Sequence, residues 1–198
     1  MSRSLKIRCR LCGEAKPLVN SNVIPELLYG PLYDEKHRLL SIKDDTPGSR
    51  FLQKGIREPF LCSDCEAFIN ENYEQPFSLL WTEAFLRERI SPGSKIRVDG
   101  ISYAQFKLFH LSIFWRAAVA SSRGFRTCDL ASKDRERIRQ KLLTRTPGPA
   151  TEDQLTGMCV FLPDPLDIVR VIMPPIQSTR RGVHVLSAVY GVGADERI

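Results

Sequence analysis

The sequence predicts an α+β protein with a cysteine-rich N-terminal part, a helical core and a small C-terminal β-sheet. Three observations support this prediction. Two Cys-x-x-Cys pairs lie in the first third of the chain, a strongly apolar stretch covers 103–118, and short β-type segments lie beyond residue 158. A Pro-Gly-Pro sequence at 147–149 separates the helical part from the strands, because proline and glycine interrupt regular structure.

Composition places the chain among ordinary globular proteins. Its 198 residues, 42% hydrophobic and 26% charged, suffice for one sizeable domain or two small ones. No apolar run reaches the roughly 20 residues that span a bilayer, and the basic first residues lack the apolar segment of a secretory signal. We therefore expect a cytoplasmic protein without a membrane role. The net charge of +6 allows an anionic partner.

The two cysteine pairs are the most specific signal. Two residues separate the thiols in each pair, a spacing that lets a tight turn direct both sulfurs toward one ion. Four thiolates complete a closed tetrahedral Zn²⁺ site of the structural kind. Disulfides or unrelated buried thiols are the alternatives, and disulfides are disfavoured in a reducing cytosol. The predicted zinc ligands are Cys9, Cys12, Cys62 and Cys65.

The residues around these pairs predict the shape of the site. Gly13 follows the first pair and suits the positive φ that ends a zinc knuckle. The residues around Cys65 predict a helix that begins at the second pair. A knuckle followed by a helix-borne pair is the plan of a treble-clef zinc site. The two remaining cysteines, Cys128 and Cys159, are expected to be buried thiols.

Between and after the pairs, the sequence predicts short elements and one long helical segment. A strand leads into a helix that begins at Pro25. Residues 30–58 are polar and irregular, and predict either a loop or a loose hairpin. The segment from 65 to about 90 is predicted to be mostly helical, with a break at Pro76.

The second half of the chain predicts a hairpin, two helices and a terminal sheet. Alternating residues around an Asp-Gly turn indicate a β-hairpin over 95–102. The stretch 103–118 is apolar on two helical faces, which is typical of a central core helix. Another helix is expected from Ser132 to Arg145, and a capping box at 151–154 indicates a short helix. The predicted C-terminal strands are 159–162, 167–172 and 183–190.

These elements divide the chain into three predicted parts. Residues 1–90 form the zinc-binding part, with 30–58 as its inserted loop. Residues 91–146 hold the hairpin and the helical core. Residues 151–198 form a small β-rich segment after the proline-rich linker.

Three segments follow one another in roughly the first third of the chain: 9–12, Ser21-Asn22-Val23-Ile24-Pro25 and 61–65. Their order resembles the zinc-bearing HNH endonucleases, a ββα-metal family with a treble-clef fold. In that family a knuckle precedes a strand that ends in a His followed by an apolar-apolar-Pro turn, and the second pair opens the metal-binding helix. The chain is also similar to uncharacterised bacterial HNH-like proteins with a SHIIP-like motif, a likeness that assigns no activity.

The resemblance implies metal-assisted phosphodiester hydrolysis. The family's strand-end His is the general base that activates water, and a Mg²⁺ or Mn²⁺ ion held by neighbouring side chains stabilises the leaving oxygen. Here the position of that His is Asn22, whose amide cannot accept a proton near pH 7. The position after the second pair, where the family carries His or Asn, is Glu66, whose carboxylate could hold Mg²⁺.

Three histidines are available to replace the missing base. His37 lies in the inserted segment and is the candidate replacement, with a solvated loop histidine as the alternative. His110, in the apolar helix, and His184, among valines of a strand, are expected to be structural.

Basic residues form the candidate nucleic-acid surface. The helix from Ser132 carries six basic residues against two acidic ones over 133–145, and a second basic cluster lies beside the first knuckle. Such faces bind phosphates independently of sequence. The alternative is a solvated amphipathic helix that buries its apolar side. The predicted phosphate-binding residues are Arg8, Arg10, Lys133, Arg135 and Arg139.

Together these patterns predict an HNH-like zinc protein that engages nucleic acid, with DNA as the expected partner and phosphodiester hydrolysis as the reaction if the chain is an enzyme. A zinc-stabilised binding module without catalysis, for DNA or a protein partner, is the alternative, and a purely structural subunit is the third. Only the enzyme requires a general base and a second divalent ion. Nucleotide hydrolysis and hydride transfer have no support, because the sequence contains neither a Gly-rich phosphate loop nor a dinucleotide fingerprint.

Overall fold

The computed structural model describes residues 8–30, 33–42, 49–79, 102–126 and 128–149, together with strands between 155 and 191. These residues form an α+β fold, which confirms the predicted class. None of the helices in the described ranges combines the length and hydropathy that a bilayer span requires.

A two-stranded antiparallel sheet and the helix that follows it form the N-terminal unit. The sheet pairs β1 (Leu18–Asn22) with β4 (Arg57–Cys62). Helix α2 (Ser63–Ile69) begins directly after β4 and packs on both strands. The strand predicted after the first knuckle and the helix predicted at the second pair are confirmed. This unit places the end of β1 and the start of α2 on one small scaffold.

The segment inserted between β1 and β4 holds a short helix and a hairpin. Helix α1 (Glu26–Tyr29) follows Pro25, which occupies the capping position before the helix. Strands β2 (Leu39–Ile42) and β3 (Ser49–Leu52) pair antiparallel. Of the two predicted alternatives for this segment, the structure therefore contains the hairpin.

The helix after the second cysteine pair does not break at Pro76. It passes from α2 into a π-helical turn, Asn70–Glu74, and continues as helix over 75–79. Within a regular α-helix, proline lacks one hydrogen bond and its ring collides with the carbonyl four residues earlier. A wider π turn immediately before Pro76 changes that spacing. The predicted break is wrong because the π turn accommodates the proline.

Helix α3 (Tyr103–Val119) is the central element, as its two apolar faces predicted. Every residue from 107 to 117 is buried. Ser102 caps its start, since its hydroxyl accepts a hydrogen bond from the Gln105 backbone N–H. The rest of the hairpin predicted at 95–102 lies outside the described residues.

Two charged side chains are buried within α3, and each has a fixed hydrogen-bond partner. Lys107 donates to the Pro149 carbonyl at 2.8 Å. The Arg116 side chain is 0% exposed and forms an ion pair with Glu74 at 2.6 Å. Buried charges are tolerated only when they are paired and hydrogen-bonded. Arg116 therefore fixes α3 against the π turn.

Helix α4 (Ser132–Thr144) packs against α3 and confirms the predicted helix. Ile138 and Leu142 are buried, as expected for its apolar side. Arg145 ends the helix in the left-handed conformation, with φ of 54°. The Thr146 backbone N–H then donates to the Lys141 carbonyl, which satisfies a terminal acceptor of the helix.

The C-terminal strands form one sheet around the longest strand. The strands, in chain order, are β5 (Leu155–Cys159), β6 (Val171–Ile172), β7 (Ile176–Arg180) and β8 (Val183–Gly191). β8 pairs parallel with β5 and antiparallel with β6 and β7. The strand predicted at 183–190 matches β8, and the strand predicted at 167–172 matches β6 only at its end. The strand predicted at 159–162 begins at the residue where β5 ends. Strand β7 was not predicted. The capping box expected at 151–154 lies outside the described residues.

The buried histidine of α3 gives folding a defined pH dependence. His110 contacts the rings of Phe77, Phe106 and Phe109, and its Nδ1 lies 2.8 Å from the Phe106 carbonyl. Burial lowers the pKa of His110 to about 4. The neutral imidazole, with Nδ1 donating, is therefore the form that fits the folded protein.

We expect this histidine to destabilise the fold in acid. The unfolded chain takes up a proton near pH 6.5 whereas the folded chain does not until about pH 4, so stability is full above 6.5 and falls between these values. The loss reaches about 3 kcal/mol at most, at 1.36 kcal/mol per pKa unit. Urea unfolding at several pH values should show a smaller loss for His110→Gln than for the wild type. Identical pH profiles would contradict this role.

Candidate metal centre

Four thiols from distant parts of the chain converge at one point. The sulfurs of Cys9, Cys12, Cys62 and Cys65 all lie within 4.8 Å of one another, and Cys12 Sγ is 4.0 Å from Cys62 Sγ. None is in a disulfide, whose sulfurs would be about 2.0 Å apart. The predicted grouping of these four residues is therefore present in the fold.

The first pair lies in a tight turn that is anchored to β4. The Gly13 N–H donates to the Cys9 carbonyl at 2.9 Å, and Gly13 has a φ of +80° as predicted. A side chain is strained at that φ, so glycine suits the position. The Arg10 N–H donates to the Phe60 carbonyl at 2.9 Å, which joins the turn to the strand carrying the second pair.

The second pair lies where β4 becomes α2. Cys62 is the last residue of β4 and the cap of α2, and Cys65 lies in the first helical turn. The Cys62 N–H donates to the Cys9 sulfur at 3.3 Å. This bond connects the second pair to the first through the sulfur of Cys9.

The donor set fits a metal ion. A tetrahedron with metal–sulfur bonds of about 2.3 Å requires sulfur atoms roughly 3.8 Å apart. The four sulfurs lie within 4.8 Å of one another, so they need to move only slightly closer together to bind an ion. Cys9, Cys62 and Cys65 are buried, so water has little access to the cluster. Four clustered thiols, three of them buried, would be weakly satisfied donors without a coordinated ion. The centre is consistent with a closed structural metal site.

Burial and hydrogen bonding act in opposite directions on these thiols. Burial raises the pKa of Cys12 and Cys65. Burial also opposes ionisation of Cys9, but N–H groups of Cys12, Cys62 and Leu11 donate to its sulfur and lower its pKa to about 7. Cys9 is therefore the thiol whose thiolate the protein already stabilises.

Three cations bond to the backbone or to acidic residues around the cluster. Arg8 donates to the Gly13 carbonyl at 3.0 Å. Lys16 forms ion pairs with both Glu14 and Asp64. Arg139, from α4, donates to the Leu11 carbonyl inside the first turn. The pKa of Arg139 is raised, chiefly by Glu136 and also by the charge of Cys12.

The two predicted catalytic positions carry oxygens that lack partners. Asn22 is the last residue of β1, and its Oδ1 is buried. Glu66 lies in the first turn of α2, and its Oε2 is buried. Neither atom has a hydrogen-bond partner in the described part of the chain. A buried acceptor without a partner costs about 1–3 kcal/mol, which a bound ligand or water would recover.

Arg116 fixes the end of β1. Its guanidinium donates to the Asn22 carbonyl at 3.1 Å through the same nitrogen that pairs with Glu74, and also to Ser112. Sequence reasoning missed both Arg116 and Glu74 as residues of this region. The one available signal was a charged residue at a core position of an apolar helix.

The structure does not bring His37 into hydrogen-bond contact with Asn22. His37 is exposed, has a φ of 54° and stacks on Tyr33 at 4.0 Å between ring centroids. The Tyr33 hydroxyl bonds in turn to Glu26 of α1. His110 is in the core, as expected. For His184 the structure describes only the backbone.

The predicted phosphate-binding residues fall into two groups. Arg139 and Arg135 have intramolecular partners: Arg139 bonds to Leu11 and Glu136, and Arg135 bonds to Ala118 and Ser132. Arg10 and Lys133 are exposed, and neither side chain has a partner among the described residues. Arg8 is exposed but bonds to Gly13.

In comparisons with known proteins, no family model, no curated protein and no solved structure matches this chain.

Loss of one cluster thiol should remove the bound metal, whereas loss of a thiol elsewhere should not. Cys9→Ser leaves three thiolates, and we expect metal content to fall from one ion per chain to near zero, with several kcal/mol of stability lost. Cys128→Ser is the matched control, because the Cys128 thiol is also buried but donates to the Phe114 carbonyl and does not belong to the cluster. Elemental analysis and thermal melting measure both effects. Unchanged metal content and melting in Cys9→Ser would contradict the four-thiol site.

Proposed function

We propose that the chain is a zinc-stabilised, HNH-like treble-clef protein that engages nucleic acid. The observation that carries the proposal is the connected series of a Gly-ended knuckle, β1, β4 and α2, with one thiol pair at each end. This is the order in which the HNH-like resemblance places its elements.

Zinc is the ion that the donor set favours. Four thiolates in a tetrahedral arrangement suit Zn²⁺, which has no redox chemistry of its own. Mg²⁺ and Ca²⁺ take oxygen ligands and do not suit this cluster. A site closed by four protein ligands leaves no position for substrate, so its role is structural.

Exposed cations near the knuckle support a nucleic-acid partner. Arg10 lies between the first two ligands, is exposed, and has no partner among the described residues. Lys133 is similarly exposed at the start of α4. A phosphate backbone binds such residues without sequence preference and releases counterions. With Arg135 and Arg139 engaged inside the protein, these two residues are the better candidates for phosphate contacts.

A divalent-ion-dependent endonuclease is the second candidate, and the two unpartnered oxygens favour it. Asn22 Oδ1 and Glu66 Oε2 are oxygen donors of the kind that Mg²⁺ and Mn²⁺ prefer. They occupy the positions at which the HNH family carries its base and a metal-proximal residue. A divalent ion there would stabilise charge on a phosphodiester. An amide at position 22 supplies no general base, so the binding function ranks first.

Nucleic-acid binding should weaken when the exposed knuckle cation is neutralised. For Arg10→Gln we expect weaker binding to a labelled DNA duplex and a salt dependence reduced by about one phosphate contact. Lys54→Gln makes the same charge change on the inserted segment, where Lys54 is also exposed, and should leave binding unchanged. Fluorescence anisotropy across a salt titration measures both. Equal losses in the two variants, or no binding at low salt, would contradict the proposal.

Restoring the imidazole tests the candidate active site. Asn22→His should produce plasmid nicking with Mg²⁺ or Mn²⁺ that the wild type lacks, because the new side chain stands at the end of β1 where the family has its base. Asn20→His is the matched control, since Asn20 is exposed on the same strand. Adding Glu66→Gln should abolish the gained activity. Nicking by the wild type, or by both histidine variants equally, would contradict this placement of the site.

A further inference from the structure

Helix α4 is attached to the first cysteine turn through one side chain, Arg139. Its Nη1 donates to the carbonyl of Leu11, which is fully buried between the first two thiols. Its Nε and Nη2 each lie 2.8 Å from a carboxylate oxygen of Glu136. Three of its donors are thereby fixed, so the guanidinium is held in one orientation toward the turn.

The carbonyl that Arg139 contacts lies between two of the thiols. Leu11 stands between Cys9 and Cys12 in the turn that the Gly13 N–H closes by donating to the Cys9 carbonyl at 2.9 Å. Arg139 bonds to the Leu11 carbonyl inside that turn. A charge-assisted bond to this carbonyl fixes the chain that joins the two ligands, so it also restricts the relative positions of their sulfurs.

The charge of a metal-loaded site explains why a cation is needed beside the cysteine turn. Four thiolates around a divalent ion carry a net charge of −2, and burying such a charge is costly unless cations and N–H groups compensate it. Lys16 is shared between two carboxylates, and Arg8 is exposed. The Arg139 side chain is only 22% exposed, while its partner Glu136 is 55% exposed and better screened by water. Arg139 is thus the best-buried cation beside the centre in the described part of the chain.

We propose that Arg139 is a positioning residue of the metal centre, which fixes the Leu11 carbonyl in the turn between Cys9 and Cys12 and thereby couples metal retention to the docking of helix α4. This inference rests on the proposed zinc centre. It replaces the predicted phosphate-binding role of Arg139 with a role in holding the ion. Because such coupling is reciprocal, the bound ion also strengthens the attachment of α4.

The test measures how fast zinc leaves the full chain. Wild-type protein loaded with Zn²⁺ is mixed with excess chelator, and a zinc-sensitive dye follows release. We expect Arg139→Gln to release zinc about tenfold faster, in the range found for hydrogen-bond partners of metal ligands, and Arg139→Lys to fall between the two. Arg135→Gln is the matched control, since Arg135 docks the same helix through Ala118 without touching the knuckle, and should change release less than about twofold.

Cobalt(II) in place of zinc supplies a second readout that loss of helix docking alone would not move. Loss of the Arg139 cation beside the cysteine turn raises the energy of the sulfur lone pairs, so the sulfur-to-cobalt charge-transfer band should move to longer wavelength in Arg139→Gln and stay in place in Arg135→Gln. If Arg139→Gln fails to fold, Arg139→Lys carries the test through the same two measurements.

The outcomes separate this inference from the proposed function. Unchanged release and spectrum in the Arg139 variants, or equal acceleration in Arg135→Gln, would overturn the inference and leave the zinc centre standing. Wild-type protein that binds neither ion would overturn both. Faster release and a shifted band confined to the Arg139 variants would support the coupling.

Discussion

The convergence of four thiols is the constraint on which the rest of the N-terminal structure depends. It joins residues 9–12 to residues 62–65 across 49 intervening residues, and it closes the knuckle onto the junction of β4 and α2. A two-stranded sheet is marginally stable on its own. An ion bound by these thiols would stabilise the fold directly, because the unfolded chain offers no preformed site. The end of β4 and the first turn of α2 are fixed directly by that closure, since each carries one of the thiols.

A second constraint ties this unit to the helical core. Arg116 is completely buried in α3, yet its guanidinium reaches both the end of β1 and the π turn after α2. Removing one partner of a buried ion pair typically costs 3–5 kcal/mol, so these elements are held together strongly. Arg139 makes the corresponding connection from α4 to the knuckle. The N-terminal unit is therefore joined to both long helices by arginines that bond to backbone carbonyls, Arg116 at the end of β1 and Arg139 at the first cysteine turn.

Local signals in the sequence predicted much of this arrangement, and long-range contacts account for the remainder. Cysteine spacing, the positive φ of Gly13 and the apolar faces of α3 depend on neighbouring residues, so pattern reasoning reached them. Pro76 misled the prediction because a proline usually interrupts a helix and nothing nearby in the sequence indicates the π turn. Arg139 and Arg116 were beyond local reasoning, since their carbonyl partners are 128 and 94 residues away. A basic helix gives the same pattern whether its arginines face phosphates or the protein's own backbone.

The metal content of the unmodified chain tests the central claim most directly. Native and denaturing mass spectrometry of protein expressed in zinc-supplemented medium would compare the folded mass with the chain mass, and far-UV circular dichroism would follow removal of the ion by chelator. We predict one zinc per chain in the native spectrum and a denatured mass equal to that of the metal-free chain with its cluster cysteines reduced. We also predict loss of ordered structure when the ion is removed. A metal-free native protein with an unchanged spectrum in chelator would contradict a fold organised by a four-thiolate zinc centre.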